Sequence, residues 1–374
     1  MSPTRVGVNL LWLRPGIVGG SEEYLVRQLL GLAEIGVEGE LDVTVFALPS
    51  FRAAHPDVAA AFDVVDAPVS GDSRPRRVLA EATWLAAEAR RRRLALVHHG
   101  GGTVPARTGG APAVLTVHDL QVLSFPEFFS PVKRAYLRAA LPRSVRRAAA
   151  LCVPSAFVAG TVREAFGVPR DRVTVVPHGL RPPAVAPTPI AELRARYGLP
   201  ERFVVYPAIT HPHKDHVTLV RALARVDGVG AVLLGGRGGA DDEVSAAVEH
   251  LGLGDRVVRP GRVPDADRDG CYRAALALAF PSRYEGFGAP VLEAMALGCP
   301  VVAADATALP EVVGDAGLLV APGDVRAWAE ALTNVATDPA LRDRLADAGR
   351  RRAAVMTAAH SAHALVSAYR SVLP

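Results

Sequence analysis

Twelve short apolar runs, rich in β-branched residues, punctuate the 374-residue chain, with helical patterns between them. The first six read RVGVNLLWL, LDVTVFAL, LALVHH, AVLTVHD, ALCVPS and VTVVPHG; the second six read FVVYPAI, GAVLLGG, RVVRPGR, LALAFPS, PVVAAD and GLLVAP. A strand with one wet face alternates apolar and polar residues. A continuous apolar run must be covered on both faces, as parallel strands are when a crossover helix follows each one. The runs therefore predict an α/β chain of two doubly wound domains, and the length is also more than one core readily holds. Between the two sets lies PHGLRPPAVAPTPIAELR, rich in proline and without periodicity, which reads as a linker. The expected domains are residues 1–182 and 183–356, with a last helix at 357–374 that adds no strand and packs back on the first domain.

Half of the residues are apolar and 21% are charged, which argues against a disordered or fibrous chain. No run of about 18 apolar residues is present, which argues against a membrane-spanning helix. The N-terminal MSPTRVGVNLLWLRPG reads as a buried strand rather than a signal peptide. Cys152, Cys271 and Cys299 are too far apart and too few for a disulfide frame or a metal site, and they fit a reducing cytoplasm. Charge is unevenly spread. Residues 74–147 hold 14 Lys and Arg against four acids, so the remainder of this +4 chain is net acidic. A basic first half points either to an anionic partner or to solvated helix faces.

The stretch PSRYEGFGAPVLEAMALGCPVVAADA places Glu285 and Glu293 around Gly286, Phe287, Gly288, Ala289 and Pro290. Two carboxylates suggest acid–base chemistry, whereas glycines ahead of a helix suggest a phosphate seat. The strand LALAFPS would feed this loop, Pro290 suits the first helical position, and Gly298 ends the helix. Backbone N–H groups from Phe287 through Val291 and Leu292 would then face a ligand. Glu293, read as lying in the first turn, is suited to a ribose diol, and Glu285 would sit by a sugar.

The segment YPAITHPHKDHVTLVRAL crowds His211, His213, Lys214 and His216 into a strand-end loop. Only two lysines occur, Lys133 and Lys214, against 40 arginines. A lysine at this place points to a compact ammonium aimed at a diphosphate. The histidines lack a carboxylate or cysteine to complete a zinc set, so no metal is expected. In VLTVHDLQ, His118 ends a strand where substrates of such folds bind, although a strand-end His-Asp pair is as readily a local hydrogen bond. In WLRPGIVGGSEEYLVRQLL, Gly19 and Gly20 precede a helix with Ser21 as the expected N-cap, a possible anion seat without dinucleotide-type glycine spacing. The acids of DADRDG read as a helix cap rather than a metal-recruiting D-x-D pair. The segment SPVKRAYLRAALPRSVRRAAAL gathers basic residues on one helix, with Tyr136, Leu137 and Leu141 as apolar contacts beside them, and suggests a surface for anionic lipid.

Together these motifs resemble the GT-B glycosyltransferases of the retaining family 4. FPSRYEGFGAPVLEAMALGCPVVAADATALPEVVGDAGLLVAPGD follows that family's E-x7-E region almost position by position, and the GG loop, the HD pair and VPHG extend the likeness along the chain. The resemblance implies two Rossmann-like domains facing a central cleft, and transfer of a hexose from a nucleotide-diphospho-sugar without cofactor or metal. It implies that Glu293 binds the ribose, Glu285 sits beside the donor sugar and Lys214 binds the diphosphate. It also implies that Gly20 approaches the phosphate and His118 lines the donor–acceptor site. Many members carry an arginine just before the lysine. Here Ile209, Thr210, His211, Pro212 and His213 stand there, so His211 or His213 substitutes or the site holds less charge. PHKDH is similar to the branch holding bacterial mannosyltransferases of surface polysaccharides, which makes GDP-mannose the first expectation for the donor. The expected partner is a glycan or lipid-linked acceptor, with no nucleic acid, at a cytoplasmic location that allows peripheral contact with the inner face of the membrane. A nucleotide-sugar 2-epimerase of the same architecture is the alternative; a glycosidase would need neither the phosphate seat nor Lys214.

Overall fold

The structure, a computed structural model, describes residues 3–17, 19–183 and 185–373. The chain divides into two compact units. The first runs up to Arg181 and takes back the chain from Met356; the second is Pro182–Val355. The first sheet comprises β1 (Thr4–Asn9), β2 (Leu41–Ala47), β3 (Asp63–Asp66), β4 (Leu96–His99), β5 (Ala113–Thr116), β6 (Ala150–Val153) and β7 (Val173–Val175). Its order is β3-β2-β1-β4-β5-β6-β7, parallel throughout. The second comprises β8 (Phe203–Pro207), β9 (Gly230–Leu234), β10 (Val257–Gly261), β11 (Ala277–Phe280), β12 (Val301–Ala304) and β13 (Leu318–Val320). Its order is β10-β9-β8-β11-β12-β13, also parallel.

All twelve apolar runs are strands, and every residue of β4, β5, β6, β11 and β12 is buried. One strand, β3, escaped the sequence pattern. It holds two valines between Asp63 and Asp66, too short for a run, and it lies at the sheet edge, where charge blunts unwanted pairing. The N-terminal strand β1 is central, so the first residues of the pattern build the core of the first unit.

The C-terminal helix Ala358–Arg370 belongs to the first unit. Thr357 caps it by accepting from the His360 N–H at 3.1 Å, and the preceding backbone pairs with Leu180. Ala362, Leu365, Val366 and Tyr369 join the core formed by β1 and the helix Gly20–Glu34. Contact with that helix is close at Gly31, where a Cβ would lie 2.4 Å from the Ala358 carbonyl oxygen. Arg370 clasps Glu40 through two hydrogen bonds of 2.7 and 2.6 Å. The three cysteines are free and buried, and burial pushes each thiol up to about 12. Among the described residues no helix is long and apolar enough to cross a membrane.

Two histidines end β4 inside the core. His98 lies between the Tyr369 hydroxyl (2.8 Å from Nδ1) and the Thr116 hydroxyl (2.7 Å from Nε2). Asn9 donates to His99 Nδ1 at 3.1 Å. Burial pushes both rings down to about 3, so both are neutral in the folded chain. Between the unfolded histidine value of about 6.5 and about 3, the unfolded chain binds protons that the folded chain refuses. The stability contributed by the neutral rings is complete above about pH 6.5 and is lost as pH falls toward about 3. The urea midpoint should therefore fall from pH 6.5 to pH 4, and His98→Gln with His99→Gln should flatten that slope. An unchanged slope in the double variant would contradict the buried, neutral state of these rings.

Candidate functional site

In the second sheet the strand order reverses between β8 and β11. Crossovers leaving these neighbours run in opposite directions, which opens a crevice at their carboxyl ends. The loop after β8 carries His211, His213, Lys214 and Asp215; the loop after β11 carries Ser282, Arg283 and Glu285. Lys214 and Glu285, 71 positions apart, meet there, with Nζ 2.5 Å from Oε1. Their side chains keep 19% and 13% exposure, so the pair is reachable by a ligand.

Several contacts hold the pair in place. The Tyr206 hydroxyl donates to the Lys214 carbonyl at 2.7 Å, and the Lys214 ammonium lies 5.9 Å from the centre of the Phe280 ring. The Glu285 N–H donates to the Thr307 hydroxyl at 3.0 Å. Two residues outside the sequence expectation fasten the loops together. The Arg283 N–H donates to the His213 carbonyl at 2.8 Å, and its guanidinium donates to Asp215 Oδ2 at 2.7 Å. Asp215 has a φ of 51°, a strained conformation for a residue with a Cβ, which leaves its carboxylate to serve Arg283 rather than to cap the helix His216–Leu223. Both residues lay inside quoted motifs, Asp215 in PHKDH and Arg283 in FPSRYEGFG, but nothing in either stretch says that they pair.

His211 and His213 stack at 5.7 Å. Burial first, then the Lys214 charge, pushes His213 down to about 3. At neutral pH His213 is therefore uncharged. Arg283 supplies the second cation of these loops.

The helix Ala289–Ala296 begins after Gly288, whose φ of 102° suits glycine alone, and a Cβ there would meet Leu309 at 2.6 Å. The donor set is narrower than the spacing suggested. Pro290 has no N–H, and the Val291 N–H donates to the Gly288 carbonyl, which leaves Gly288 and Ala289 at the helix mouth. Val291 and Leu292 point their side chains into the core. Phe287 is buried and Gly286 half-buried. Glu293 lies in the second turn, not the first. Its carboxylate is buried 3.8 Å from Arg268, which also pairs with Asp265 and Asp269. Burial works against the Arg268 charge, but Glu293 and these aspartates outweigh it and hold the guanidinium above its ordinary range.

The DADRDG acids lie in the helix Asp265–Ala274, whose N-cap is Pro264, so they do not cap it. Asp267 instead accepts from Thr188, Arg196 and Tyr197, each at 2.6 Å, which binds this helix to the segment Thr188–Tyr197. Among the described residues no three His, Cys, Asp or Glu side chains converge as a metal-sized set.

The first sheet reverses order between β1 and β4. Gly19 is the N-cap of the helix Gly20–Glu34, with a φ of 75°, and a Cβ on Gly19 or Gly20 would meet nothing within 4 Å. Ser21 is inside the helix and does not cap it. Glu22 turns back to accept from the Gly16 N–H at 2.9 Å and lies 2.8 Å from His55 Nε2, which closes the loop. His118 follows β5 and donates from Nε2 to the Gly100 carbonyl at 2.7 Å. Its ring meets Tyr24 edge-on at 5.5 Å, and burial holds it below the ordinary histidine range. His118 shares a cavity of about 490 Å³ with Trp12, Glu81 and Lys133. Tyr136 and Leu137 line the same cavity and Leu141 is buried, so these three face inward rather than beside the exposed cations of their helix. Val78, Leu123, Phe128 and Val132 are exposed apolar residues of the segments that form this cavity or adjoin it in the chain.

Residues 18–182 match the family described as Glycosyltransferase Family 4, and residues 190–352 match Glycosyl transferases group 1. The chain is 30% identical to a D-inositol 3-phosphate glycosyltransferase of Nocardia farcinica, a match covering 99% of this chain and 90% of that one. It is also 30% identical to O-antigen chain mannosyltransferase B of Escherichia coli over 58% of each chain, so that match spans little more than half of the relative's length. The fold matches that of HepE from Anabaena, solved with UDP and glucose, at a TM-score of 0.78 and 22% identity over 98% of this chain and 100% of that one.

Proposed function

The chain belongs to glycosyltransferase family 4, and from that premise we propose that it moves a hexose from a nucleotide-diphospho-sugar to a glycan, lipid-linked or small-molecule acceptor, with retention of configuration. The observation that carries this reading is the Lys214–Glu285 pair beside a helix mouth, at the switch point of a doubly wound sheet. When the glycosidic bond breaks, the departing diphosphate gathers negative charge, and fixed cations and N–H groups aimed at it stabilise the transition state. Lys214 would exchange Glu285 for the diphosphate, with the Gly288 and Ala289 N–H groups beside it. Glu285, released from the lysine, would lie against the donor sugar. Glu293 would accept from the ribose diol while shared with Arg268. A donor phosphate oxygen would assist loss of the acceptor proton on the same face of the sugar. Gly20 would approach the phosphate and His118 would line the acceptor side.

GDP-mannose is the first donor to test, supported by the PHKDH loop and by likeness to the O-antigen mannosyltransferase. Thermal-shift screening against GDP-, UDP- and ADP-sugars, followed by acceptor trials with the donor that binds, tests the reading. Transfer should proceed only with acceptor present; an epimer formed without one would point to the epimerase chemistry instead. Lys214→Ala should lower turnover by about 10²–10³ with the fold intact, the typical cost of removing a charge-stabilising group. Near-normal turnover in a folded variant would remove Lys214 from the donor site.

Transfer should require no metal ion, because Lys214 and Arg283 already supply fixed positive charge at these loops. Activity should survive EDTA. Complete loss, restored by manganese or magnesium, would refute this part of the reading.

The enzyme would work in the cytoplasm, resting on the inner face of the membrane. Support comes from exposed Arg138, Arg143 and Arg146 on the helix Pro131–Arg147 and from Val132, which is 81% exposed. Each basic group near an anionic surface adds about 1 kcal/mol. Co-sedimentation with anionic vesicles should be strong at low salt and weak at high salt; no pelleting at low salt would leave an enzyme without membrane contact.

A further inference from the structure

The glycine loop ahead of the helix Gly20–Glu34 is made of residues that do not order themselves. Gly16 and Gly19 both take a φ of 75°, and among the described residues a Cβ on Gly16, Gly19 or Gly20 would meet nothing within 4 Å. Glycine loses more conformational freedom on folding than other residues, and open space offers no packing to offset that loss. Backbone bonds close the two ends of the loop, from the Ile17 N–H to the Arg14 carbonyl at 3.1 Å and from the Glu22 N–H to the Gly19 carbonyl at 2.9 Å. A further anchor comes from a side chain that the site described above does not use.

Glu22 is the third residue of the helix, a place from which a glutamate can reach back past the N-terminus. Its neighbour Glu23 runs along the helix to Arg27 at 2.8 Å; Glu22 turns the other way. Its Oε2 accepts from the Gly16 N–H at 2.9 Å, and its Oε1 accepts from His55 Nε2 at 2.8 Å. Hydrogen bonds to a carboxylate are among the stronger ones, and the helix dipole favours a negative charge at this end. His55 is itself fixed. It joins the short helices Phe51–Ala54 and Pro56–Ala61, its N–H donates to the Phe51 carbonyl at 2.9 Å, and its ring meets the Phe51 ring at 4.8 Å. Phe51 is fully buried in the core that holds β1 and β2. The loop is thus tied to the core through Gly16, Glu22, His55 and Phe51 in turn.

We propose that Glu22 and His55 are positioning residues for transfer: together they hold the glycine loop in the form that meets the donor phosphate. The role in transfer rests on the glycosyltransferase reading, in which Gly20 approaches that phosphate; the clasp itself does not. Glu22 is 7% exposed and both of its oxygens are engaged, so it acts through the loop rather than on the donor. A loop ordered in advance loses little entropy when the ligand arrives, and N–H groups already aimed at developing charge need no reorientation as the bond breaks.

Two measurements on the intact protein test this. In the first, isotope-labelled glycine lets NMR read amide hydrogen exchange at Gly16, Gly19 and Gly20. Glu22→Ala should speed exchange at Gly16 about tenfold or more, the usual effect of losing one charged hydrogen bond, and His55→Ala should speed it less. Glu22→Gln keeps an acceptor oxygen for the Gly16 N–H and should stay near the unaltered protein. In the second, transfer is followed with the donor and acceptor found by screening. Glu22→Ala should lower kcat about tenfold or more with the KM for donor nearly unchanged, and Glu22→Gln should restore kcat. Calorimetry with the nucleoside diphosphate of that donor should give the same affinity in all variants, because the diphosphate contacts proposed above come from the second unit. Unchanged exchange at Gly16 in folded Glu22→Ala overturns the clasp. Faster exchange with unchanged kcat overturns its role in transfer. Absence of transfer in the unaltered protein defeats the glycosyltransferase reading and that role with it, while exchange still decides whether the clasp exists.

Discussion

Lys214 and Glu285 lie 71 residues apart and meet at 2.5 Å because β8 and β11 are neighbours at the point where the second sheet reverses direction. The pair depends on parallel pairing, since each parallel strand must send its chain over a face of the sheet before the next begins. All strand-end loops therefore emerge on one edge, and only at the reversal do two neighbouring loops part and leave room for a ligand. The backbone bond from Arg283 to His213 and the side-chain bond from Arg283 to Asp215 then hold the parted loops at a fixed distance. The cost is local: Asp215 takes a conformation unfavourable by roughly 1–3 kcal/mol, offset by the surrounding contacts.

The two units treat charge differently. In the second, the charges near the crevice have partners: Lys214 has Glu285, the exposed Arg283 has the buried Asp215, and Arg268 has Glu293 with two aspartates. Those pairs fix geometry before a ligand arrives. In the first, histidines are kept neutral by burial, and Arg74, Arg77 and Lys133 line one cavity with Glu81 and Asp119 without forming an ion pair among the described residues. Opposite charges held together as in the second unit keep their side chains in one geometry.

Much of this was legible along the chain. Continuous apolar runs mark strands that must be covered on both faces, and that alone forces a doubly wound pattern; β3 fell outside because two valines between aspartates make no run. Lys214 stood out because the chain otherwise uses arginine for cations. Gly288 stood out because a helix mouth that admits a ligand needs a turn without a side chain. Helix boundaries were less legible. Ser21 and the DADRDG acids are good capping residues by type, yet capping depends on where the backbone leaves its extended form, and here Gly19 and Pro264 hold those positions.

By itself the sequence determined the periodicities, and with them the strand count to within one edge strand, the two-domain division and the glycine-rich and lysine-bearing loops. These properties are local in the chain, and local spacing suffices to read them. Tertiary structure alone decided which distant charges meet. That Lys214 faces Glu285, that Arg283 pairs with Asp215 while His213 stays neutral, and that Glu293 is held by Arg268 all depend on strand order and burial. So does the gathering of Arg74, Arg77 and Lys133 around one cavity from helices more than fifty residues apart. Coulomb interactions and desolvation act through space, and the spacing of residues along a chain does not encode the distance between them once it folds.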